Sequence, residues 1–259
     1  MGWLDRLRGS APCKDEARMA EALEAARRED YASALAIWEP LARDGHPRAQ
    51  NNIGAAFAEG LGVEADPALA YRWLKLSANA GDPVGQRNLA ALYFRGDGVP
   101  QDDIEAMRLY RLAADAGDGP AQDMLSWMLL ERGLHDIAEV RDLAEKAAAQ
   151  GVATAMTRLG NLHHNALGTP RDPVEAARWW RRAALLDDAD GQAMLGAALL
   201  TGAGTPRDPV EALAWLLRAR AGGSALAQNF IRPAREGLSE ADRLRAERLA
   251  REPLTGAAS

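Results

Sequence analysis

The stretch Gly168-Thr-Pro-Arg-Asp-Pro-Val-Glu-Ala176 recurs without a change at Gly204 to Ala212, 36 residues later. Looser copies are Gly62-Val-Glu-Ala-Asp-Pro-Ala-Leu-Ala70 and Gly98-Val-Pro-Gln-Asp-Asp-Ile-Glu-Ala106. Extending outward from these copies places repeat starts at Gly45, Gly81, Gly117, Gly151, Asp187 and Gly223, in steps of 36, 36, 34, 36 and 36 residues. One period held over most of a chain marks stacked supersecondary units, each too small to bury its own apolar face.

Each repeat has the same internal grammar. An apolar residue recurs at Ile53, Leu89, Leu125, Leu159, Leu195 and Ile231, and a small one follows it at Gly54, Ala90, Ser126, Gly160 and Gly196. Four positions after the apolar residue stand Phe57, Tyr93, Leu129, His163 and Leu199, on the same helical face. Gly-x-Gly turns at Gly60/Gly62, Gly96/Gly98 and Gly202/Gly204 end this first helix, since glycine takes positive φ without strain. A second helix starts at Asp66, Asp102, Asp172 or Asp208. The Asp serves as N-cap, and Pro67, Pro173 and Pro209 occupy the first helical position. Ala70, Ala106, Ala176 and Ala212 follow, and three residues later Trp73, Leu109, Trp179 and Trp215, whose tryptophans the shared slot assigns to the core. Each repeat is thus two antiparallel helices joined by a short loop.

Composition agrees. Of 259 residues, 47% are hydrophobic and only 5% aromatic, which favours close-packed helices over sheets. A net charge of -6 argues against a nucleic-acid binder. The single cysteine, Cys13, excludes an internal disulfide and a multi-cysteine metal site, and reads as a tail thiol. Asp5, Arg6 and Arg8 interrupt the run a signal peptide needs, and no stretch is apolar enough to span a membrane, so a cytoplasmic chain with no integral membrane segment is expected. Trp3, Leu4 and Leu7 offer one short apolar face to a membrane or partner, and a frayed terminus is the expected reading.

The grammar resembles that of the Sel1-like repeat family, relatives of the tetratricopeptide repeat. The resemblance is carried by Gly85-Gln-Arg-Asn-Leu-Ala-Ala-Leu-Tyr93, Gly96-Asp-Gly-Val99, Asp102, Ala106, Leu109 and Ala113-Ala-Asp-Ala-Gly117. It covers roughly residues 30 to 250. It implies an all-α, right-handed α-solenoid whose first helices line a concave groove, and an adaptor role, often in bacterial settings. The expected organisation is a flexible tail over 1–13, an opening helix pair over 14–44 and repeats over 45–222. A last repeat helix and polar capping helix follow over 223–252, then a flexible tail over 253–259. The repeat from Gly117 departs from the pattern. It reads Met124-Leu-Ser-Trp-Met-Leu-Leu-Glu-Arg-Gly133, lacks the Gly-x-Gly loop, and uses Asp136 as its second cap. At the other end, Ser239-Glu-Ala-Asp242 approaches a capping box.

Candidate chemistry is sparse. His163 and His164 are adjacent on one helix, hence about 100° apart and unable to chelate in the i, i+4 manner. His163 fills the Phe57/Tyr93 slot and reads as a packed, hydrogen-bonded core residue, while His46 and His135 sit at helix starts. No cofactor, metal or catalytic set is expected, and the chain is expected not to be an enzyme. By the tetratricopeptide analogy the groove takes Asn51, Arg87, Asp123 and Thr157 in one row and Ala55, Ala91, Trp127 and Asn161 in a second. Phe94 and His164 lie in a rim row. Asn and Arg suit the backbone of an extended peptide, and Trp127 and Phe94 supply apolar anchors. The leading reading is a monomeric scaffold that binds a protein or peptide. The alternatives are a regulatory subunit docked on one enzyme, or a β-lactam-binding or hydrolysing enzyme. The last rests on cysteine-rich relatives, whose cysteine pairs this chain lacks.

Overall fold

The structure is a computed structural model that describes residues 14–133 and 136–254. Its described residues form 14 α-helices and no strand. The expected tail over 1–13, with Trp3, Leu4, Leu7 and Cys13, lies outside them, as do His135 and residues 255–259. The chain divides into two compact units, one ending at Ala121 and one starting at Gln122.

The first unit holds α1 (Lys14–Arg27), α2 (Tyr31–Arg43), α3 (Pro47–Glu59), α4 (Pro67–Asn79), α5 (Pro83–Arg95) and α6 (Asp103–Asp115), with the first turn of α7 (Gly119–Glu131). Met19, Ala22, Trp38, Leu41 and Ile53 form a core across α1, α2 and α3, with Phe57 and Trp73 half-buried against it. The second unit holds the rest of α7, then α8 (Ile137–Ala149), α9 (Ala153–His164), α10 (Pro173–Leu185), α11 (Ala189–Thr201), α12 (Pro209–Ala221), α13 (Gln228–Glu236) and α14 (Glu240–Leu249). Its core runs from Trp180, Leu195, Leu199 and Trp215 to Leu213, Leu216, Ile231 and Ala246. Within the units consecutive helices pack against each other from α1 to α6 and from α8 to α13, and first helices of successive repeats also touch, α3 with α5 and α9 with α11.

Local chemistry sets the helix ends. Asp66, Asp102, Asp172 and Asp208 each accept two backbone N–H bonds through one carboxylate oxygen, and Asp136 accepts one from Ala138. These caps satisfy donors that have no intrahelical partner. Every repeat start is left-handed, with φ of 91° at Gly45, 84° at Gly81, 89° at Gly117, 84° at Gly151 and 90° at Gly223. Asp187 takes the same conformation at φ 63°, as Asp tolerates better than most side chains.

The small residue after each apolar one is a hole for a specific knob on the second helix. A Cβ added at Gly54 would lie 2.7 Å from Leu74, one at Gly196 2.7 Å from Leu216, and one at Gly160 2.4 Å from Trp180 Nε1. In α7 the small residue is Ser126, whose hydroxyl donates to the Val140 carbonyl at 2.9 Å. The knob therefore follows the slot expected from the sequence by one residue. Trp180 is 2% exposed, while Trp179, expected in the core, is half-buried with the Arg182 guanidinium 4.3 Å above its ring. Trp215 is buried as expected, and Trp73 is half-buried.

At the carboxyl end the Ser239 hydroxyl accepts from Asp242 N–H at 3.2 Å and opens α14. Arg218 donates to the carbonyls of Leu249 and Glu252. Leu254, placed by the sequence in a tail, packs against the cluster of Trp180 and Trp215.

Candidate functional site

The face of the first helices was the expected binding surface. In the first unit, Asn51 is buried; its amide nitrogen donates to Asn52 Oδ1 at 3.1 Å and its oxygen accepts from Asn88 Nδ2 at 2.8 Å. The Arg87 guanidinium reaches both oxygens of Asp118 at 3.1 and 2.9 Å. Asp118 also caps α7 by accepting from Ala121 N–H at 2.9 Å. One repeat earlier, Arg48 reaches Asp82 at 2.8 Å, and Asp82 caps α5 through Gly85 N–H. Phe94 is half-buried.

The second unit repeats the theme with different chemistry. Asp123 accepts from Thr154 Oγ1 at 2.5 Å and from Arg158 Nη2 at 2.8 Å. The Thr157 hydroxyl donates to Asp188 at 2.7 Å, and Asp188 caps α11 through Gly191 N–H at 2.7 Å. Asn161 Oδ1 accepts from the Trp180 indole N–H at 3.1 Å. The His164 ring lies 5.4 Å from that indole, tilted by 50°. Trp127 is half-buried. The Nδ1 atoms of His163 and His164 are buried without a hydrogen-bond partner, so the hydrogen bond expected for His163 is absent at that nitrogen.

Asn51, Arg87, Asp123 and Thr157 therefore bond to the next repeat in sequence, with partners 31 to 37 positions on. They fix the spacing of successive first helices. A second staple escaped the sequence reading. Gln50, Gln86 and Gln192 each donate Nε2 to a carbonyl eight residues back, Ala42, Ala78 and Ala184, at 3.1, 3.5 and 3.4 Å. These carbonyls lie in the last turn of the preceding second helix, and each also accepts the N–H of the left-handed residue at the repeat start, Gly45, Gly81 or Asp187. The recurrence of Gln at 50, 86, 122 and 192 was the available signal.

Among the described residues no group of three His, Cys, Asp or Glu side chains converges to hold a metal. A cleft of about 380 Å³ lies away from the face of the first helices, beside α12, α14 and residues 252–254, with Leu185, Trp215, Arg218 and Leu249 in its wall. No described helix is long and apolar enough to cross a membrane.

Two-helix repeats, N-capped by Asp and closed by left-handed residues, define an α-solenoid of the tetratricopeptide-like class. Sel1 repeats match at residues 47–82, 83–118, 119–152, 153–188 and 189–224, more than half of the sequence. The chain belongs to the Sel1 repeat family. It is similar to the Sel1 repeat protein from Oxalobacter formigenes at 24% identity and TM-score 0.77, covering 92% of this chain and 98% of that one. It is also similar to two Pseudomonas aeruginosa immunity proteins. Pa5087 matches at 19% identity and TM-score 0.50, covering 79% of this chain and 78% of that one. PA5088 matches at 17% identity and TM-score 0.53, covering 98% and 87%. At these identities the likeness concerns the fold. No curated protein matches the sequence.

Proposed function

We propose that the chain is a non-enzymatic scaffold that binds a protein or peptide on the face of its first helices. The observation that carries the reading is preorganisation. Polar side chains of that face are tied repeat to repeat, so little ordering entropy remains to be lost on binding. Half-buried Ala55 and Ala91 form a small-residue floor in the first unit. Half-buried Trp127 and Asn161 hold the equivalent places in the second, where an aromatic suits an interface anchor. Asn51 and Arg87 support the floor from beneath in the first unit, with Phe94 at its edge, and Asp123 and Thr157 do so in the second, with His164 at its edge.

The test uses Ala91→Arg and Ala55→Arg, which block the floor without cutting a staple. Affinity capture with wild type and variants, beside their melting curves, decides the matter. The proposal expects a partner captured by wild type and lost from variants that melt normally. Identical capture by all three would refute it.

A further inference from the structure

Outside that face, α4, α5 and α6 bring together a cluster that packing alone does not require. Tyr71 on α4 has its hydroxyl 3.3 Å from that of Tyr93 on α5, and their rings meet edge to face at 6.1 Å and 89°. Lys75, one turn along α4, donates to the Tyr71 hydroxyl at 3.0 Å. Tyr71 is half-buried and Lys75 exposed, so the oxygen sits at the molecular surface. On α6, Glu105 faces the pair but is held by two hydrogen bonds from Arg108, each 2.7 Å long.

The two phenols are not equivalent. Lys75 can only donate, so Tyr71 is an acceptor already. If Tyr71 ionises, Tyr93 donates to it as well, and the phenolate receives two hydrogen bonds in place. The hydrogen bond from Lys75, then that from Tyr93, lowers the Tyr71 pKa, with burial and Glu105 opposing. The reciprocal bond to Tyr71, then burial, pushes Tyr93 up to about 12. Tyr93 is thereby kept as the proton donor and Tyr71 becomes the acidic partner.

We propose that Tyr71 is a covalent modification site whose hydroxyl oxygen accepts a phosphoryl-type group from an activated donor. The Oη–P bond forms as the bond from phosphorus to the leaving group breaks. The electron pair departs with that group, and the phenol proton passes to water. Lys75 remains an ammonium throughout: it stabilises the phenolate before the step and the added negative charge after it. A group on Oη leaves Tyr71 no proton to donate and adds bulk and acceptor oxygens beside Tyr93 between α4 and α5, so modification alters the contact between neighbouring repeats. A lower pKa reduces intrinsic nucleophilicity, but below the pKa the gain in ionised fraction is larger, as with thiols.

An aryl sulfonyl fluoride, a tetrahedral electrophile with fluoride as leaving group, is the probe. The full chain is labelled across neutral to mildly alkaline pH, digested, and its 4 tyrosines followed by peptide mass spectrometry. Tyr71 is expected to label several-fold faster than the half-buried Tyr31, with a pH profile displaced to lower pH. Lys75→Met, at an exposed position, is expected to abolish the advantage without changing the melting curve. Tyr93→Phe is expected to reduce the rate and move the Tyr71 profile back upward. Equal labelling of Tyr71 and Tyr31, adducts confined to Lys75, or a Tyr71 rate unchanged by Lys75→Met would overturn the proposal.

Discussion

Replacing Asp123 by alanine tests whether the polar row on the first helices is a support. The Asp123 and Arg158 side chains are 10% and 12% exposed, so water screens their 2.8 Å contact little. Arg158 Nε is buried with no partner of its own, and Thr154 Oγ1 points at the same carboxylate from 2.5 Å. Asp123→Ala leaves a nearly buried guanidinium without its anion and a hydroxyl without its acceptor. Breaking a buried pair from one side costs about 3–5 kcal/mol, mainly through the uncompensated charge. With urea m-values of about 1–3 kcal/mol/M, the unfolding midpoint followed by circular dichroism should fall by roughly 1 M or more. Arg158→Met in the same chain removes the stranded charge, so the double variant should recover most of the loss. A single variant within about 0.3 M of wild type, or a double variant worse than the single, would refute the staple and return Asp123 to the pool of free ligand-binding groups.

Trp180→Ala should cost about 3–5 kcal/mol, because its ring fills the hole at Gly160. Trp179→Ala should cost under about 1 kcal/mol in the same denaturation assay, since its ring is half-buried beneath Arg182. Gly204→Ala and Gly223→Ala both force alanine into a left-handed conformation, at φ 75° and 90°. Only the first also drives a Cβ to 1.8 Å from the Pro173 carbonyl oxygen, so Gly223→Ala should cost about 1–2 kcal/mol and Gly204→Ala clearly more. In an alkaline ultraviolet titration, the tyrosine lost in Tyr93→Phe should be the one that ionises at about 12. Its raised folded pKa gives stability present below the ordinary value of 10.0 and lost as pH rises through about 12. The depressed Tyr71 works the other way, its contribution lost as pH falls through the folded pKa, so the two are separated by comparing wild type with Tyr93→Phe.

The features legible in the sequence were those that the backbone decides locally. Aspartate caps, proline at the first helical turn and glycine at each repeat start act over a few residues, and their recurrence gave the period. Asp187 shows the strength of that signal, since the repeat kept its conformation after losing its glycine. At Trp179 the core slot was misread by one residue because Trp179 and Trp180 are equally apolar, while Trp215 in the same slot is buried as expected. Only the second projects toward Gly160, as Leu74 projects toward Gly54 and Leu216 toward Gly196. That pairing joins two helices, and no count along one helix reveals it. The polar row was found, but not its partners. An arginine bound for a carboxylate on the next repeat and one bound for a ligand read alike in one dimension.

The division between staple and surface follows from the same geometry. Asn51, Arg87, Asp123 and Thr157 share one position in successive repeats and four different chemistries, yet each links its own repeat to the next. A change at such a position must preserve a partner 31 to 37 residues away, so it is constrained in pairs. The neighbouring position carries Ala55, Ala91, Trp127, Asn161 and Ala197, from no polar group to a tryptophan, all half-buried. Asn161 accepts from the Trp180 indole, whereas Ala55, Ala91 and Ala197 have no polar side-chain group to lose, so recognition on the proposed surface can be tuned at the alanines without cutting a hydrogen bond. Variation between repeats there, more than the polar content of the row beneath, is the sequence feature that favours the proposed binding surface.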